Sequence, residues 1–474
     1  MQKSYTPEKF AVYFTEQLPF KPNSGQLEAI QKISQFIFST NLNSVFVLKG
    51  YAGTGKTNLI SALNNSLSLI KMQCVLMAPT GRAAKVISAY SGKPAFTIHK
   101  KIYAKTESDN GSIQFFLADN THKNTLFIVD EASMIGDASE GGSFSQNSLL
   151  QDLFSFVFSG DNCRLLICGD TAQLPPVGSD LSPALNIDFL KSAFHLELNH
   201  YELKEVARQE EQSGILYNAT MLRVSLFESA FLLPKFKCTA DFVRINGDEL
   251  EDAIQNAISE YGEEEVLVIT RSNKRANLFN QSYRNRIKYY EEDFCTGDRI
   301  MIVKNNYFWT KSSEKNSFIA NGEMAEICKI KNREELYGFA FANCVVRFLD
   351  NEELGEKEVK ILTSCLYTDT PALSQEQQKH LFDQVIEDVE SFHSKSTKLA
   401  YVRNSEYYNA LQVKFSYAIT CHKSQGGQWS VIFIDQGYIK EDEMDRNFLR
   451  WLYTAITRGT KKVYLLNFND LFFN

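Results

Sequence analysis

The sequence predicts an α/β protein: two domains built on parallel sheets, the second interrupted by a small β-rich and helical insertion. Three observations predict it. Short apolar, β-branched runs recur along the chain, each closed by polar or glycine-rich residues, and with helical stretches between them such runs are the pattern of buried parallel strands. The runs form two groups far apart in sequence, 44–200 and then 264–273 with 415–467. Every run of the first group ends in residues that carry chemistry, and in an open α/β sheet those ends converge on a ligand site.

In order, the first group is SVFVLKG (44–50), QCVLMAPT (73–80), TLFIVDEAS (125–133) and RLLICGD (164–170). The second is EEVLVITRSN (264–273), SVIFIDQG (430–437) and KVYLLN (462–467). The expected domains are therefore 1–200, then 201–295 joined with 410–474, with an insertion at 296–409. The front of the insertion (GDRIMIVKNNY, EMAEICKI, NCVVRFLD, KEVKIL) has the spacing of a small antiparallel module. Its back half, SQEQQKHLFDQVIEDVESFHS, has helical periodicity. Between 101 and 123, IYAKTESDNGSIQFF reads as a hairpin turning at Asn110-Gly111.

Composition sets the outer bounds. A chain of 474 residues is too long for one ordinary domain, and 44% apolar with 23% charged residues suits well-cored globular units. A net charge of −7 excludes a coat of basic surface, so any nucleic-acid path has to be a local groove. The nine cysteines include no C-x-x-C pair and no zinc spacing, and their odd number fits reduced thiols. No run of eighteen apolar residues exists, and MQKSYTPEKFAVYF lacks a signal-peptide core. A soluble, cytoplasmic protein with no membrane partner is expected.

Gly50-Tyr51-Ala52-Gly53-Thr54-Gly55-Lys56-Thr57 is a full G-x-x-x-x-G-K-T between a strand and a helical stretch. Glycines at 50, 53 and 55 let backbone N–H groups, Thr54 among them, wrap phosphates at a helix N-terminus. Lys56 then reaches the β/γ-phosphates and Thr57 ligates Mg²⁺. Asp130-Glu131 follows the next core strand. Alone, such a pair is a solvated strand end; one strand beyond a phosphate loop, Asp130 holds Mg²⁺ and Glu131 orients the attacking water. ATP and Mg²⁺ are the expected ligands, and these motifs establish a nucleotide hydrolase and nothing narrower.

The remaining motifs choose which one. APTGRAAK (78–85), TIHK (97–100), GDTAQLPPVG (169–178), LKEVARQ (203–209), YAITCHKSQGGQWSVIFID (417–435) and LYTAITRG (452–459) stand in this order. In these strings, over nearly all of residues 20–470, the chain resembles the superfamily 1 helicases of the 5′→3′ class that includes RecD, Dda and Pif-type enzymes. The resemblance implies two RecA-like domains and assigns roles. Gln26 would read adenine, although alone it is an ordinary helix-surface glutamine. Gln173 would touch the γ-phosphate, with Arg208 and Arg458 approaching it from across the cleft. Arg271 would line the nucleotide site. Thr80, His99 and Phe96 from the first domain, and Thr420, His422, Lys423 and Ser424 from the second, would hold DNA, although a Phe in that place is more often core. The 101–123 hairpin would be the pin that splits duplex, or an inert surface hairpin. Lys304, Asn305 and Asn306 in the insertion would add DNA contacts.

The implied activity is an ATP-dependent DNA helicase that works as a monomer on single-stranded DNA and forks, alongside replication or repair proteins. Two rivals remain. A DNA-stimulated translocase that displaces proteins uses the same motor. An AAA-type remodeller would follow its phosphate loop with a helical lid, which the parallel-strand pattern of the second half does not fit.

Overall fold

The computed structural model describes residues 5–41, 44–107, 113–137, 147–194, 196–206, 213–229, 232–310, 318–350, 354–389 and 394–473; side chains of 105–107, 113, 114, 395 and 396 are not described. The first domain is a six-stranded parallel sheet. Along the chain come β1 (Ser44–Gly50), β2 (Gln73–Ala78), β3 (Ala95–Thr97), a separate antiparallel hairpin of β4 (Tyr103–Glu107) and β5 (Ile113–Leu117), then β6 (Lys123–Val129), β7 (Asp161–Gly169) and β8 (Glu197–Leu203). The spatial order is β3-β2-β6-β7-β1-β8. The expected hairpin turn at Asn110-Gly111 lies outside the described residues.

Burial on both faces explains the unbroken apolar runs. Val45 and Val47 of β1 join Phe127 and Val129 of β6 in one core, while Phe46 and Leu48 join Leu126 and Ile128 in the other. Alternate side chains of a strand point to opposite faces, so a strand covered by helices on both sides needs apolar residues at every position. The helix Leu149–Phe158 packs into the first core and Ser24–Phe38 into the second.

The second domain repeats this plan with β9 (Phe242–Ile245), β10 (Val266–Thr270), β16 (Ala418–Thr420), β17 (Trp429–Asp435) and β18 (Gly459–Leu466), in the order β16-β10-β17-β18-β9, all parallel. Between β10 and β16 the chain makes a closed barrel of β11 (Arg299–Ile302), β12 (Met324–Leu336), β13 (Phe339–Phe348), β14 (Glu356–Leu362) and β15 (Leu411–Phe415). Ile300, Ile327, Val346 and Val413 of the barrel share one apolar core with Val268 and Phe433 of the second sheet. The barrel is thus fused to the second domain. A buried ion pair fixes the joint, with Arg284 Nε donating to Asp298 at 2.8 Å and the Tyr417 hydroxyl donating to the same carboxylate at 3.1 Å.

Two expected boundaries move. The cut at 200/201 falls inside β8, which pairs along its whole length with β1 and belongs to the first sheet. The insertion does not close at 409, because β15 completes the barrel by pairing with β11 and β14. Among the described residues no helix is long and apolar enough to cross a membrane.

Candidate functional site

The phosphate loop starts where β1 ends. Gly53 (φ 73°) and Gly55 (φ 86°) take left-handed backbone, which only glycine adopts without strain. A side chain at Gly55 would also place its Cβ 2.6 Å from Gln26 Nε2. That contact marks what Gln26 does here. It is buried, its amide nitrogen donates to the Thr54 carbonyl at 3.0 Å, and its oxygen accepts from Asn23 N at 3.0 Å in a capping box. Gln26 braces the loop against the helix Ser24–Phe38. The Thr54 hydroxyl and Lys56 Nζ both donate to the Tyr51 carbonyl, at 2.7 and 2.9 Å, and Thr57 lies half-buried one residue on.

Beside the loop, β6 delivers Asp130 and Glu131. Asp130 Oδ1 accepts from Glu131 N at 2.9 Å, and Glu131 is itself left-handed (φ 54°, ψ 35°). A non-glycine residue held there costs on the order of 1 kcal/mol, and such strain concentrates at functional positions. Burial, with the charge of Glu131, pushes the Asp130 carboxyl up to about 6. Burial also raises Asp170, at the end of β7. Asp130, Glu131 and Asp170 thus crowd around Lys56. Among the described residues no cluster of three His, Cys, Asp or Glu side chains is built to hold a metal by itself. The oxygens of Thr57 and Asp130 fit Mg²⁺ of the kind that is shared with phosphates and water, which asks for only one or two protein ligands.

The second domain closes the pocket with the helix Arg446–Ile456 and the residues after it. Arg458 is buried; its guanidinium donates to the carbonyls of Thr454 and Gly427, both at 3.2 Å, and approaches Glu131 Oε1 at 3.7 Å. Gln173 is buried in the loop after β7, its Oε1 without a hydrogen-bond partner among the described residues. Sequence reasoning missed the side chain at the centre of this closure. The Tyr453 hydroxyl accepts from Ala52 N of the phosphate loop at 2.9 Å and donates to Asp170 Oδ2 at 2.7 Å. Around it, Leu174 N donates to Thr454 Oγ1 (2.8 Å), Gln425 Nε2 to the Leu174 carbonyl (2.7 Å), and Arg450 Nη1 to the Thr171 carbonyl (2.6 Å). Tyr453 reads as a core aromatic in the sequence; its place in the LYTAITRG string was the available signal.

Two further residues were expected in the pocket. Arg208 lies outside the described residues. Arg271 is exposed, with its guanidinium 5.4 Å over the ring of Phe448.

The expected DNA residues lie on a second seam between the same modules. Thr80 caps the helix Gly81–Ser91, accepting from Ala83 N at 3.2 Å. Phe96 and Lys100 line a groove of about 480 Å³ whose far wall is Phe318 and Glu323 of the barrel region. His99 precedes Lys100 in the chain, its ring 5.8 Å from Tyr103. Thr420 is half-buried and His422 exposed, and Lys423 Nζ donates to Asn321 Oδ1 at 2.6 Å. Ser424 is a correction. It is fully buried and its hydroxyl donates to the Cys421 carbonyl at 2.8 Å, closing the short helix Cys421–Ser424 instead of facing a ligand. The Asn306 amide is likewise spent on its own turn and on the Asn409 carbonyl, Asn305 accepts from Asn321 N, and Lys304 donates to Gln378.

Arg82 knits this seam. Its Nη1 meets Asp350 at 3.1 Å, its Nη2 donates to the Gln428 carbonyl at 3.3 Å, and its guanidinium lies 4.1 Å over Trp429. Gly426 and Gly427 make the approach possible: a Cβ at Gly426 would stand 2.7 Å from Ala83 Cβ, and one at Gly427 would stand 2.9 Å from Arg82 Nε. The hairpin is braced as well, Phe115 packing 4.6 Å from Tyr307.

Comparisons with known proteins agree with this geometry. A family model described as an AAA domain matches residues 21–225, and one described as a UvrD-like helicase C-terminal domain matches 415–466. The chain is similar to the ATP-dependent DNA helicase dda of Enterobacteria phage T4, 23% identical over 88% of this chain and 93% of that protein. It is also similar to the ATP-dependent RecD2 DNA helicase of Deinococcus radiodurans, 34% identical over 28% of this chain and 16% of that larger protein. A solved Pif1 helicase from Bacteroides, in complex with ADP-AlF3 and ssDNA, covers 94% of each chain at 16% identity with a TM-score of 0.45, too loose a superposition to argue from. The two matched segments meet across one cleft, and the second is matched by a helicase model. The chain belongs to the superfamily 1 helicases, in the branch of RecD, Dda and Pif1.

Proposed function

We propose that the protein is an ATP-driven DNA helicase that moves 5′→3′ along single-stranded DNA and separates duplex ahead of it. The observation that carries the reading is Arg458 at 3.7 Å from Glu131: one domain holds the hydrolytic machinery and the other holds the cation that stabilises its transition state. Guanidinium groups aimed at a transferring phosphoryl act in this way. Only a closed cleft brings the two together, so nucleotide binding favours closure and hydrolysis releases it.

ATP lies against the 50–57 loop, with Lys56 on its β/γ-phosphates. Mg²⁺ bound by Thr57 and Asp130 would neutralise charge on those phosphates. Glu131 orients the attacking water, and the Gln173 oxygen, without a partner among the described residues, accepts on the γ-phosphate side of the pocket in support of it. Gln26 has a second amide N–H and lone pair with which to meet adenine, and Arg208 would join Arg458. On the other seam, Thr80, Phe96, His99, Thr420, His422 and Lys423 hold the strand by backbone and stacking contacts that ignore sequence. The braced hairpin parts the duplex. One complete site per chain allows a working monomer.

The test is ATP hydrolysis with and without single-stranded DNA, in wild type and in Lys56→Ala. Strong stimulation by DNA that disappears in the variant is expected. Hydrolysis indifferent to DNA would leave the nucleotide site standing and end the helicase reading.

A further inference from the structure

On the far side of the phosphate loop from the helix it feeds lies an open cavity of about 770 Å³, shared by both domains. Four cations line it, Lys49, Lys204, Arg223 and Arg450, against two carboxylates, Glu202 and Asp180. The carboxylates are already engaged in part: Glu202 accepts from the Tyr51 hydroxyl at 2.7 Å and pairs with Lys204 at 3.5 Å. Burial lowers the pKa of both Lys49 and Arg450, against nearby carboxylates that favour their charged forms.

The wall between this cavity and the nucleotide site is one residue thick on three sides. Tyr51 lines the cavity, and its neighbour Ala52 gives its N–H to Tyr453. Thr171 lines it, and its neighbour Asp170 accepts from Tyr453. Arg450 lines it, one helical turn before Tyr453. On the opposite side Asp170 feels the charges of Lys56 and Glu131, and Arg458, just past the end of that helix, faces Glu131. The Tyr453 hydroxyl, held by two hydrogen bonds, closes the partition.

We propose that this basic vestibule is a binding site for inorganic phosphate, through which the cleaved γ-phosphate leaves the nucleotide site when Tyr453 gives up its bonds to Ala52 and Asp170. The proposal rests on the hydrolase reading above. A small dianion suits the vestibule, since it meets several partly buried cations that can bind it through charge-assisted hydrogen bonds. Tyr453 acts by positioning: it touches the loop and Asp170, not the phosphate. Because the partition spans both domains, opening it couples product release to movement of the cleft.

The test separates cleavage from release in one turnover of the full chain on single-stranded DNA. Quenched-flow measures ATP cleaved, and a fluorescent phosphate sensor measures phosphate free in solution. Lys49→Gln and Arg223→Gln should leave the cleavage transient within about twofold of wild type and slow phosphate appearance by about three- to tenfold, as loss of one charge-assisted contact does. Tyr453→Phe, which keeps the buried ring, should bring phosphate out with or ahead of the wild-type rate relative to cleavage. Added inorganic phosphate should inhibit wild type more strongly than the glutamine variants. Release tracking cleavage in all three variants, with unchanged phosphate inhibition, overturns the vestibule. A wild-type chain that cleaves no ATP overturns the hydrolase reading instead, so the two failures look different.

Discussion

The two parallel sheets share a plan and divide the work unequally. The first ends its strands in a glycine-shaped loop, a strained Glu131 and two carboxylates whose charges burial disfavours. The second ends β10 in Thr270, Arg271, Ser272 and Asn273, without a glycine, and the helix that follows begins with an ordinary serine cap. Its contribution comes from elsewhere, from the helix Arg446–Ile456 and the glycine pair at 426–427. A sheet can therefore lose its own ligand site and still complete its neighbour's, because what the neighbour needs is a few side chains that arrive only on closure.

If that division holds, removing the second domain's cation should hurt nearly as much as removing the first domain's chemistry. Arg458→Ala should lower DNA-stimulated hydrolysis by about 10³-fold, within the range known for arginine fingers, while binding of a fluorescent ATP analogue stays within a few-fold. A loss smaller than tenfold in steady-state assays would mean that the first domain hydrolyses ATP without help.

The strain in the first sheet offers a second, smaller test. A carboxyl pushed from its ordinary 3.8 up to about 6 binds its proton more tightly folded than unfolded. Its ionised form thus weakens the fold, by an amount that grows from pH 3.8 to about 6 and persists above. Asp130→Asn should then raise stability by about 2 kcal/mol at pH 7.5, read as a higher melting temperature, and give no gain at pH 3.5, while hydrolysis is lost. An equal gain at both values would assign the effect to packing.

The smallest expected effect lies on the DNA seam. Arg82→Ala removes a bridge from the first domain to both the second domain and the barrel. DNA-free hydrolysis should stay near wild type, and the stimulation by single-stranded DNA should fall about three- to tenfold. Equal loss of both rates would show the seam to be general scaffolding.

The same contrast explains what was legible in the sequence. Motifs that act through their own backbone could be read directly: the phosphate loop is recognisable because Gly53 and Gly55 need left-handed φ, and the buried strands β1, β6 and β7 because both faces demand apolar residues. Short or half-exposed strands could not. Three-residue β3 and β16 have too little pattern, and β8 (ELNHYEL) is a sheet edge whose exposed positions look like a loop, which put the boundary at 200/201 inside it. Side chains that work across the cleft were legible only by their string. That string is what singled out Arg458, and Tyr453, five residues earlier, carries no other signal in the sequence. Ser424 shows the opposite error, since a hydroxyl in a ligand-like string turned inward to end a four-residue helix.

The glycine at 426 has a consequence for anyone who wants to catch the motor between strokes. Its backbone is left-handed (φ 74°), and a Cβ there would lie 2.7 Å from Ala83 Cβ and 3.1 Å from Thr80 Oγ1. Alanine at that place would be a doorstop one carbon thick. It sits beside Thr80 on the second seam and would hold the modules ajar, so that a Gly426→Ala chain should close its cleft less readily than the native one.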